Sequence, residues 1–214
     1  ETKGAGYNFK FGAIIKPAQW VRFGGAIHFP TFYKLHDDYS DHLDASLTFD
    51  NGPAVSEAGE FDYELTTPFK AIGSAAVVVG KVAIFSFDYE YLDYTKARFR
   101  NGGEFELENG RIQDVYTAAH NLRGGMEMRF GPISLRGGYS YFGSPFQSGE
   151  INEDADYSIL SGGIGINSNS FYIDFAYSQM LNSENYVLYF AQQPAISNID
   201  YGRNQVMATI GFRF

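Results

Sequence analysis

The sequence contains no cysteine among its 214 residues. This absence excludes disulfide bonds, thiolate metal sites and a cysteine nucleophile. Long apolar runs are also missing, because no stretch approaches the roughly eighteen residues that a membrane-spanning helix needs. Basic residues are few, and the net charge of −9 argues against nucleic acid as a partner.

Aromatic residues and glycine are abundant instead. The chain has 16 Tyr, 20 Phe and 24 Gly, whereas charged residues make up only 19%, below the usual quarter. The length suits one β domain of barrel or sandwich size. A β-barrel can cross a membrane without any long apolar run, because lipid-facing and lumen-facing residues alternate along each strand.

The last ten residues show this alternation. Every second residue from Val206 to Phe214 is apolar, and the residues between them are mostly polar or small. A period of two indicates a strand with one apolar face, and about ten tilted residues cross a bilayer. The segment resembles the terminal strand of bacterial outer-membrane barrels, which implies that Phe212 and Phe214 belong to the signal read by the barrel assembly machinery. The alternative is the last strand of a soluble sandwich.

The same pattern predicts nine strands, at about 5–15, 20–29, 62–79, 82–94, 118–130, 133–142, 156–167, 171–181 and 205–214. The connections alternate between tight turns and long polar loops, the loops lying at about 30–61, 95–116, 143–155 and 182–202. Outer-membrane barrels combine tight periplasmic turns with long extracellular loops, whereas a sandwich has no reason to keep every second loop tight. The chain is therefore predicted to be all-β, a single segment over 1–214 of an antiparallel transmembrane β-barrel of outer-membrane type.

If the apolar faces point to lipid, charged side chains of both signs enter the lumen. The predicted lumen residues are Arg22, Glu64, Asp88, Glu90, Arg123, Glu127, Arg129, Arg136 and Asp174. One interpretation is a polar path or an anchor for a ligand carboxylate, for which arginine is the natural partner. The other, which we favour for any single residue, is a network of ion pairs that stiffens the barrel interior.

Seven short motifs occur in one order across nearly the whole chain. They are FPTFY at 29–33, LTTPFK at 65–70, FDYEYLDY at 87–94, NLRGG at 121–125, LRGGY at 135–139, FYIDFAY at 171–177 and GFRF at 211–214. Together they resemble the FadL/TodX-type outer-membrane transport proteins, particularly the Bacteroidetes branch often labelled hemin receptor. The resemblance implies uptake of small hydrophobic molecules, such as long-chain fatty acids or aromatic hydrocarbons, across the outer membrane of a Gram-negative bacterium. The alternative is an outer-membrane surface binding protein, a heme receptor or an adhesin, that uses the long loops.

The sequence departs from that family in strand number. Family barrels have roughly fourteen strands, and bacterial single-chain barrels close with an even count, whereas the alternation predicts about nine. Nothing matches the family's N-terminal plug, and the chain begins without Met or a signal peptide. We therefore expect the C-terminal part of a longer protein, whose N-terminal part supplies the strand that pairs with the free side of the first predicted strand.

Apolar residues in the predicted connections are candidates for the first docking surface of a hydrophobic ligand. These candidates are Tyr186, Val187, Leu188, Tyr189 and Phe190 in one connection, with Phe29, Phe32 and Tyr33 as the opposite wall. A connection exposed to water normally carries polar residues, so apolar residues there suggest a binding surface. The alternative is that 186–190 merely extends the eighth predicted strand beyond the membrane.

Metal binding and catalysis are weakly supported. His36, Asp37, Asp38, Asp41 and His42 are suitable ligand types, but they lack a recognised metal spacing, and a solvated acidic loop explains them better. With four histidines and no nucleophile-elbow motif, the sequence does not favour an enzyme. We expect no metal site and no cofactor. Heme would need an axial His or Tyr on an exposed loop, and His36, His42 and His120 qualify by position alone.

Overall fold

The computed structural model describes residues 1–43, 54–55, 57–100, 102–187 and 195–212. Most of them lie in antiparallel strands. The strands are β1 (Thr2–Tyr7), β2 (Lys10–Ala18), β3 (Val21–His28), β4 (Phe32–Tyr39), β5 (His42–Leu43), β6 (Ala54–Val55), β7 (Gly59–Thr66), β8 (Lys70–Val79), β9 (Ala83–Asp93), β10 (Arg98–Arg100), β11 (Ala118–Phe130), β12 (Ile133–Phe142), β13 (Tyr157–Asn167), β14 (Phe171–Val187) and β15 (Ile196–Phe212). Between β9 and β11 lie two 3-10 turns (Tyr94–Lys96 and Gly102–Phe105) and helix α1 (Glu106–Val115). In the part of the chain that is described, no helix has the length and apolar character needed to cross a membrane.

The main sheet has nine strands in the order β15-β14-β13-β12-β11-β9-β8-β3-β2. Each neighbouring pair is antiparallel, and each of these strands corresponds to one of the nine predicted from the sequence. The all-β, antiparallel class is therefore confirmed. Within the described residues, the edge strands β2 and β15 pair with β3 and β14 respectively and not with each other.

The two faces of this sheet differ in chemistry along all nine strands. Directly opposed residues of antiparallel strands point to the same side, so the registers assign each side chain to a face. On one side, which we call the apolar face, Phe87 opposes Gly124 and Phe175 opposes Ile164. The other side, the charged face, holds Glu90 and most of the acidic and basic residues of these strands, whereas Asp93 and Asp200, near strand ends, fall on the apolar side. The predicted division into an apolar and a polar side is confirmed, whereas the medium that each side contacts stays a prediction.

A second sheet, in the order β1-β4-β7-β10, continues the main sheet beyond a break. The chain passes from β1 to β2, from β3 to β4, from β7 to β8 and from β9 to β10 across two to four residues each time. The neighbour order in the second sheet therefore repeats the order β2-β3-β8-β9 of the main sheet. Much of the predicted long connection over 30–61 is strand, because β4 and the start of β7 lie within it.

Two prolines and a set of side-chain hydrogen bonds explain this break. Pro30 and Pro68 have no N–H to donate to a ladder. The chain instead uses Thr67: the Thr31 N–H donates to Thr67 Oγ1 at 2.9 Å, and the Thr67 N–H donates to the Thr31 carbonyl at 3.0 Å. The Asn8 side chain donates to Thr31 Oγ1 at 3.1 Å. The predicted strands at 5–15 and 62–79 are therefore each divided in two.

One side of the second sheet is covered by the segment that was predicted as a polar loop over 95–116. The Phe105 ring packs on Phe61 and on Phe99, with ring centroids 5.8 Å and 5.0 Å apart. The Asn109 side chain of α1 accepts from the Phe99 N–H and donates to the Phe99 carbonyl, both at 2.9 Å. The predicted connection over 95–116 thus contains β10 and helix α1, and its aromatic and amide groups complete the packing and hydrogen bonding of β10.

The opposite end of the main sheet has tight turns, as predicted. Gly80 and Gly131, with φ of 56° and 59°, occupy two of them, in the left-handed region that glycine enters at little cost. At the end of the sheet away from the tight turns, β14 and β15 form a continuous hairpin that pairs as far as Val187 with Ile196. Much of the predicted connection over 182–202 is therefore strand. Residues 143–155 contain no strand and remain an irregular loop, as predicted.

Candidate functional site

The charged face carries a buried carboxylate, Glu90, at its centre. Glu90 is 4% exposed and accepts hydrogen bonds from Asn121 Nδ2 at 2.8 Å and Arg123 at 3.3 Å. Lys70 Nζ lies 3.2 Å from the same carboxylate. The buried charge is thus matched by two cations and an amide, which is the usual condition for burying a carboxylate.

A second ion network lies nearer the tight turns. Glu127 accepts from Arg129 at 2.6 Å and from Arg136 at 2.7 Å, and Arg136 also donates to Asp174. Gly165 lies directly beneath the Arg136–Asp174 pair, and a Cβ at that position would collide with the Asp174 carboxylate. The absence of a side chain at Gly165 therefore lets this ion pair cross β13.

These networks include six of the nine predicted lumen residues, namely Glu90, Arg123, Glu127, Arg129, Arg136 and Asp174. The interpretation as an ion-pair network therefore fits them better than that of a free ligand anchor. Sequence reasoning could place them on one face, but the partner of each residue depends on the cross-strand register.

Arg22 and Asp88, also predicted as lumen residues, border a groove of about 640 Å³ over β2, β3, β8 and β9. Small residues such as Gly24, Ser74 and Ala76 line much of it. Neither Arg22 nor Asp88 forms an ion pair with another described residue. The groove thus combines an apolar floor with an available guanidinium, which can accept a carboxylate-bearing ligand.

Glu64 lies outside the main sheet, and its predicted place in a lumen stays a prediction. It lies in β7 of the second sheet, beyond the break at Pro68, and Lys34 Nζ is 3.4 Å from its carboxylate. It therefore does not belong to the charged face. The predicted strand over 62–79 included Glu64 because the alternation was extended across Pro68, which cannot continue the hydrogen-bond ladder.

The predicted hydrophobic docking residues fall in two separate places. Phe32 and Tyr33 lie in β4, where Phe32 packs on Tyr7 and beneath Arg100, and Phe29 lies in the break. Tyr186 and Val187 belong to β14, paired with Ser197 and Ile196. No described contact joins the two groups. Tyr186 and Val187 extend β14, and their role in docking stays a prediction. Leu188, Tyr189 and Phe190 lie outside the described residues.

The chain's end is described up to Phe212, which opposes Phe171 on the apolar face. Phe214, the other predicted assembly-signal residue, lies outside the described residues. The role of both as a signal stays a prediction.

His36 is the best-connected histidine of the second sheet. Its Nδ1 lies 2.8 Å from Asp62 and its Nε2 lies 3.3 Å from Asp38. These hydrogen bonds, that to Asp62 foremost, raise the pKa of His36 above its ordinary value of 6.5. Among the described residues, no group of three or more His, Asp or Glu side chains is placed to hold a metal ion.

His120 lies on the apolar face rather than in a loop. Its Nδ1 is 2.7 Å from the Tyr89 hydroxyl, and its ring contacts those of Tyr89 and Tyr91. The His120 ring thus contacts two tyrosine rings and one tyrosine hydroxyl, which does not favour it as an axial heme ligand.

Comparison with known proteins adds no relative. No family model matches the chain, and no curated protein matches it. The resemblance to outer-membrane transport proteins therefore stays a prediction that rests on the short motifs of the sequence.

Proposed function

We propose that this chain forms part of the wall of an outer-membrane β-barrel that takes up small hydrophobic molecules. The observation that carries the proposal is the continuous apolar face of the nine-stranded sheet. Phe87, Ile164 and Phe175, from three different strands, are 50%, 47% and 48% exposed. Apolar surface of this extent is costly in water and is suited to lipid. Eight of the nine strands have 9 to 17 residues, within or above the about 9–11 that cross a bilayer when tilted, and β3 has 8.

The charged face supports a lumen on the other side. Its ion networks pair charges of opposite sign, as suits the polar interior of a barrel. The groove beside Arg22 adds an apolar surface along which a hydrophobic molecule with a carboxylate can move. In this proposal the partners are outer-membrane lipid, the barrel assembly machinery and the N-terminal part of the same protein.

The proposal is tested by expressing the full-length protein in a Gram-negative host that lacks its own fatty-acid uptake channel. We expect the protein in the outer-membrane fraction and increased uptake of radiolabelled oleate. Ala76→Phe would fill the groove, whereas Val77→Phe, next to it on the apolar face, would not. We expect lower uptake for Ala76→Phe alone, at equal amounts of folded protein. Recovery of the wild-type protein away from the outer membrane would contradict the proposal.

A surface binding protein is the second candidate. It is favoured by the second sheet and helix α1, which lie at the end of the strands away from the tight turns. An ordered surface of this kind suits recognition of a partner outside the cell. Titration with hemin separates the two candidates. The heme receptor is favoured over the channel if hemin gives a saturable change in the Soret band that is lost in His36→Ala. The same cells should then take up no more oleate than the host that lacks the protein.

A further inference from the structure

An aromatic cavity of about 270 Å³ lies on the charged face, at the end of the strands away from the tight turns. Its floor is one cross-strand row: Asn121 opposes Phe142, Phe142 opposes Tyr157, and Tyr157 opposes Asn182. Phe142 and Tyr157 stack with centroids 4.4 Å apart and an interplanar angle of 10°. Four neighbouring strands therefore build a floor in which two stacked aromatic rings lie between two side-chain amides.

The loop over 143–155 covers this floor and is firmly attached on two sides. On one side, the Thr117 N–H donates to the Pro145 carbonyl at 2.7 Å, and Phe146 stacks on Tyr116 at 5.2 Å. On the other, the Asn185 N–H donates to Asn152 Oδ1 at 2.8 Å. The cavity is thus a built feature of the fold, because its cover is bonded both to the α1–β11 connection and to β14.

One polar atom of the cavity lacks a partner. Asn182 Oδ1 is buried and accepts no hydrogen bond from any described residue. A buried acceptor in this state is unfavourable, and native structures usually satisfy it. By contrast, the other amide of the row is fully used, because Asn121 donates to Glu90 and accepts from the Gly143 N–H. Asn182 itself lines the cavity, which places this unpartnered acceptor at the cavity wall.

The charges around the cavity select against an anion. Its lining includes Glu184 but no Lys or Arg, and the nearby Arg123 is already bound to Glu90 and stacked on Phe142. Burial raises the pKa of Tyr94, which keeps its hydroxyl neutral. The cavity thus offers aromatic contact and an acceptor, but no cation.

We propose that this cavity binds a small flat aromatic molecule that carries a hydroxyl or N–H group, which donates to Asn182 Oδ1. The inference deepens the proposed function, on which it rests for its biological role, by distinguishing such ligands from carboxylates and from plain hydrocarbons. Ligand rings contact Tyr94, Phe146 and Tyr157, and the donor group is directed to β14.

The test measures binding of 4-fluorophenol to the full-length protein in lipid nanodiscs by fluorine NMR. Fluorobenzene lacks the donor, and 4-fluorobenzoate replaces it with an anion. We expect saturable binding of 4-fluorophenol at least tenfold tighter than that of either analogue. Equal affinities for the three probes would overturn the inference, since partition into lipid alone would explain them.

Two variants make the result specific. Asn182→Ala should weaken 4-fluorophenol at least tenfold, without changing fluorobenzene and without lowering the melting temperature, because the lost atom has no protein partner. Ser178→Ala, on the same strand and face but outside the cavity, should change neither probe. Unaltered 4-fluorophenol affinity in Asn182→Ala would overturn the inference.

The outcomes for the two proposals can be separated. Binding is measured on purified protein and needs no transport, whereas oleate uptake does not involve the donor group. Selective binding without uptake in cells would sustain the cavity and contradict the channel. Uptake of oleate without selective binding of 4-fluorophenol would support the channel and contradict the cavity.

Discussion

The two halves of the main sheet differ at the end away from the tight turns. In the first half, β2, β3, β8 and β9 stop at a break and continue as a second sheet, whereas β11 to β15 run as unbroken hairpins. The first half has Pro30 and Pro68 at the same level of neighbouring strands, and the strands of the second half contain no proline. The difference teaches that alternation is a local property, which holds within each piece of strand and is not carried across a residue without an N–H.

The halves nevertheless share one apolar face, and a charge placed on it tests whether both contact lipid. We expect Phe87→Arg in the first half and Phe175→Arg in the second to destabilise the folded protein by roughly 2–4 kcal/mol each, the cost of a cation at mid-bilayer. The measurement is the fraction folded in lipid vesicles, followed by the gel shift of folded against heated protein.

Asp88→Asn is the matched control, because Asp88 is next to Phe87 and points to the charged face. It should leave the folded fraction nearly unchanged. A folded fraction for Phe87→Arg equal to that of Asp88→Asn would show that the apolar face is not in lipid.

The two ion networks give the next largest contrast. Glu90 is buried, and its removal leaves Lys70 and Arg123 without their carboxylate. Removing one partner of a fully buried pair costs about 3–5 kcal/mol. Since Lys70 and Arg123 are still 31% and 35% exposed, we expect Glu90→Ala to cost about 2 kcal/mol.

Glu127→Ala should cost less, about 1 kcal/mol, because Arg129 and Arg136 are more exposed, at 54% and 38%. Urea unfolding of both variants in the same detergent measures the difference. The ranking fails if Glu127→Ala proves the more destabilising of the two.

Three strands of the second half, β11, β12 and β13, could be predicted closely from the sequence, whereas β14 and β15 extend well beyond their predicted ranges. The predicted ranges for β11 and β12 coincide with those observed, because Gly131 and Pro132 mark the turn and no proline interrupts either strand. The same method missed β4 and joined β7 and β8 into one predicted strand. Acidic residues occupy both sides of β4, at Asp37 and Asp38, so its alternation is hidden by its charge.

The candidate site was less predictable than the faces. A period of two assigns Glu90 and Arg123 to one side, but which carboxylate meets which cation depends on cross-strand register. The aromatic cavity needs the registers of four strands and the path of the loop over 143–155. None of these follows from the local pattern, although the conjunction of Phe142, Tyr157 and Asn182 near predicted strand ends was visible in the sequence.

The break itself can be tested with two adjacent threonines. Thr67→Val removes the hydroxyl that accepts from the Thr31 N–H, and we expect a loss of about 1 kcal/mol. Thr66→Val is the same change one residue earlier, where the hydroxyl is buried and bonds to no described residue. It should be neutral or slightly stabilising. Urea unfolding compares the two, and equal losses would mean that the Thr31–Thr67 bond does not stabilise the break.

The smallest expected effect is a pH dependence confined to the second sheet. Hydrogen bonds to Asp62 and Asp38 raise the pKa of His36 above 6.5 in the folded state. The stabilisation that comes from a raised histidine pKa is fully present below the pKa of the unfolded state, 6.5. It is lost as the pH rises through the pKa of the folded state. At the acid end, Lys3 and His36 lower the pKa of Asp38, so the stabilisation from Asp38 is lost as the pH falls through that lowered pKa.

The amides of β1 and β4 should therefore exchange most slowly between these two pH limits and faster above them, as measured by hydrogen exchange with mass spectrometry. The amides of β11 and β12 provide the internal control, since His36 contacts neither strand. In His36→Gln the difference between the two sheets should no longer change near neutral pH, and a pH dependence that persists in this variant would assign it to another group.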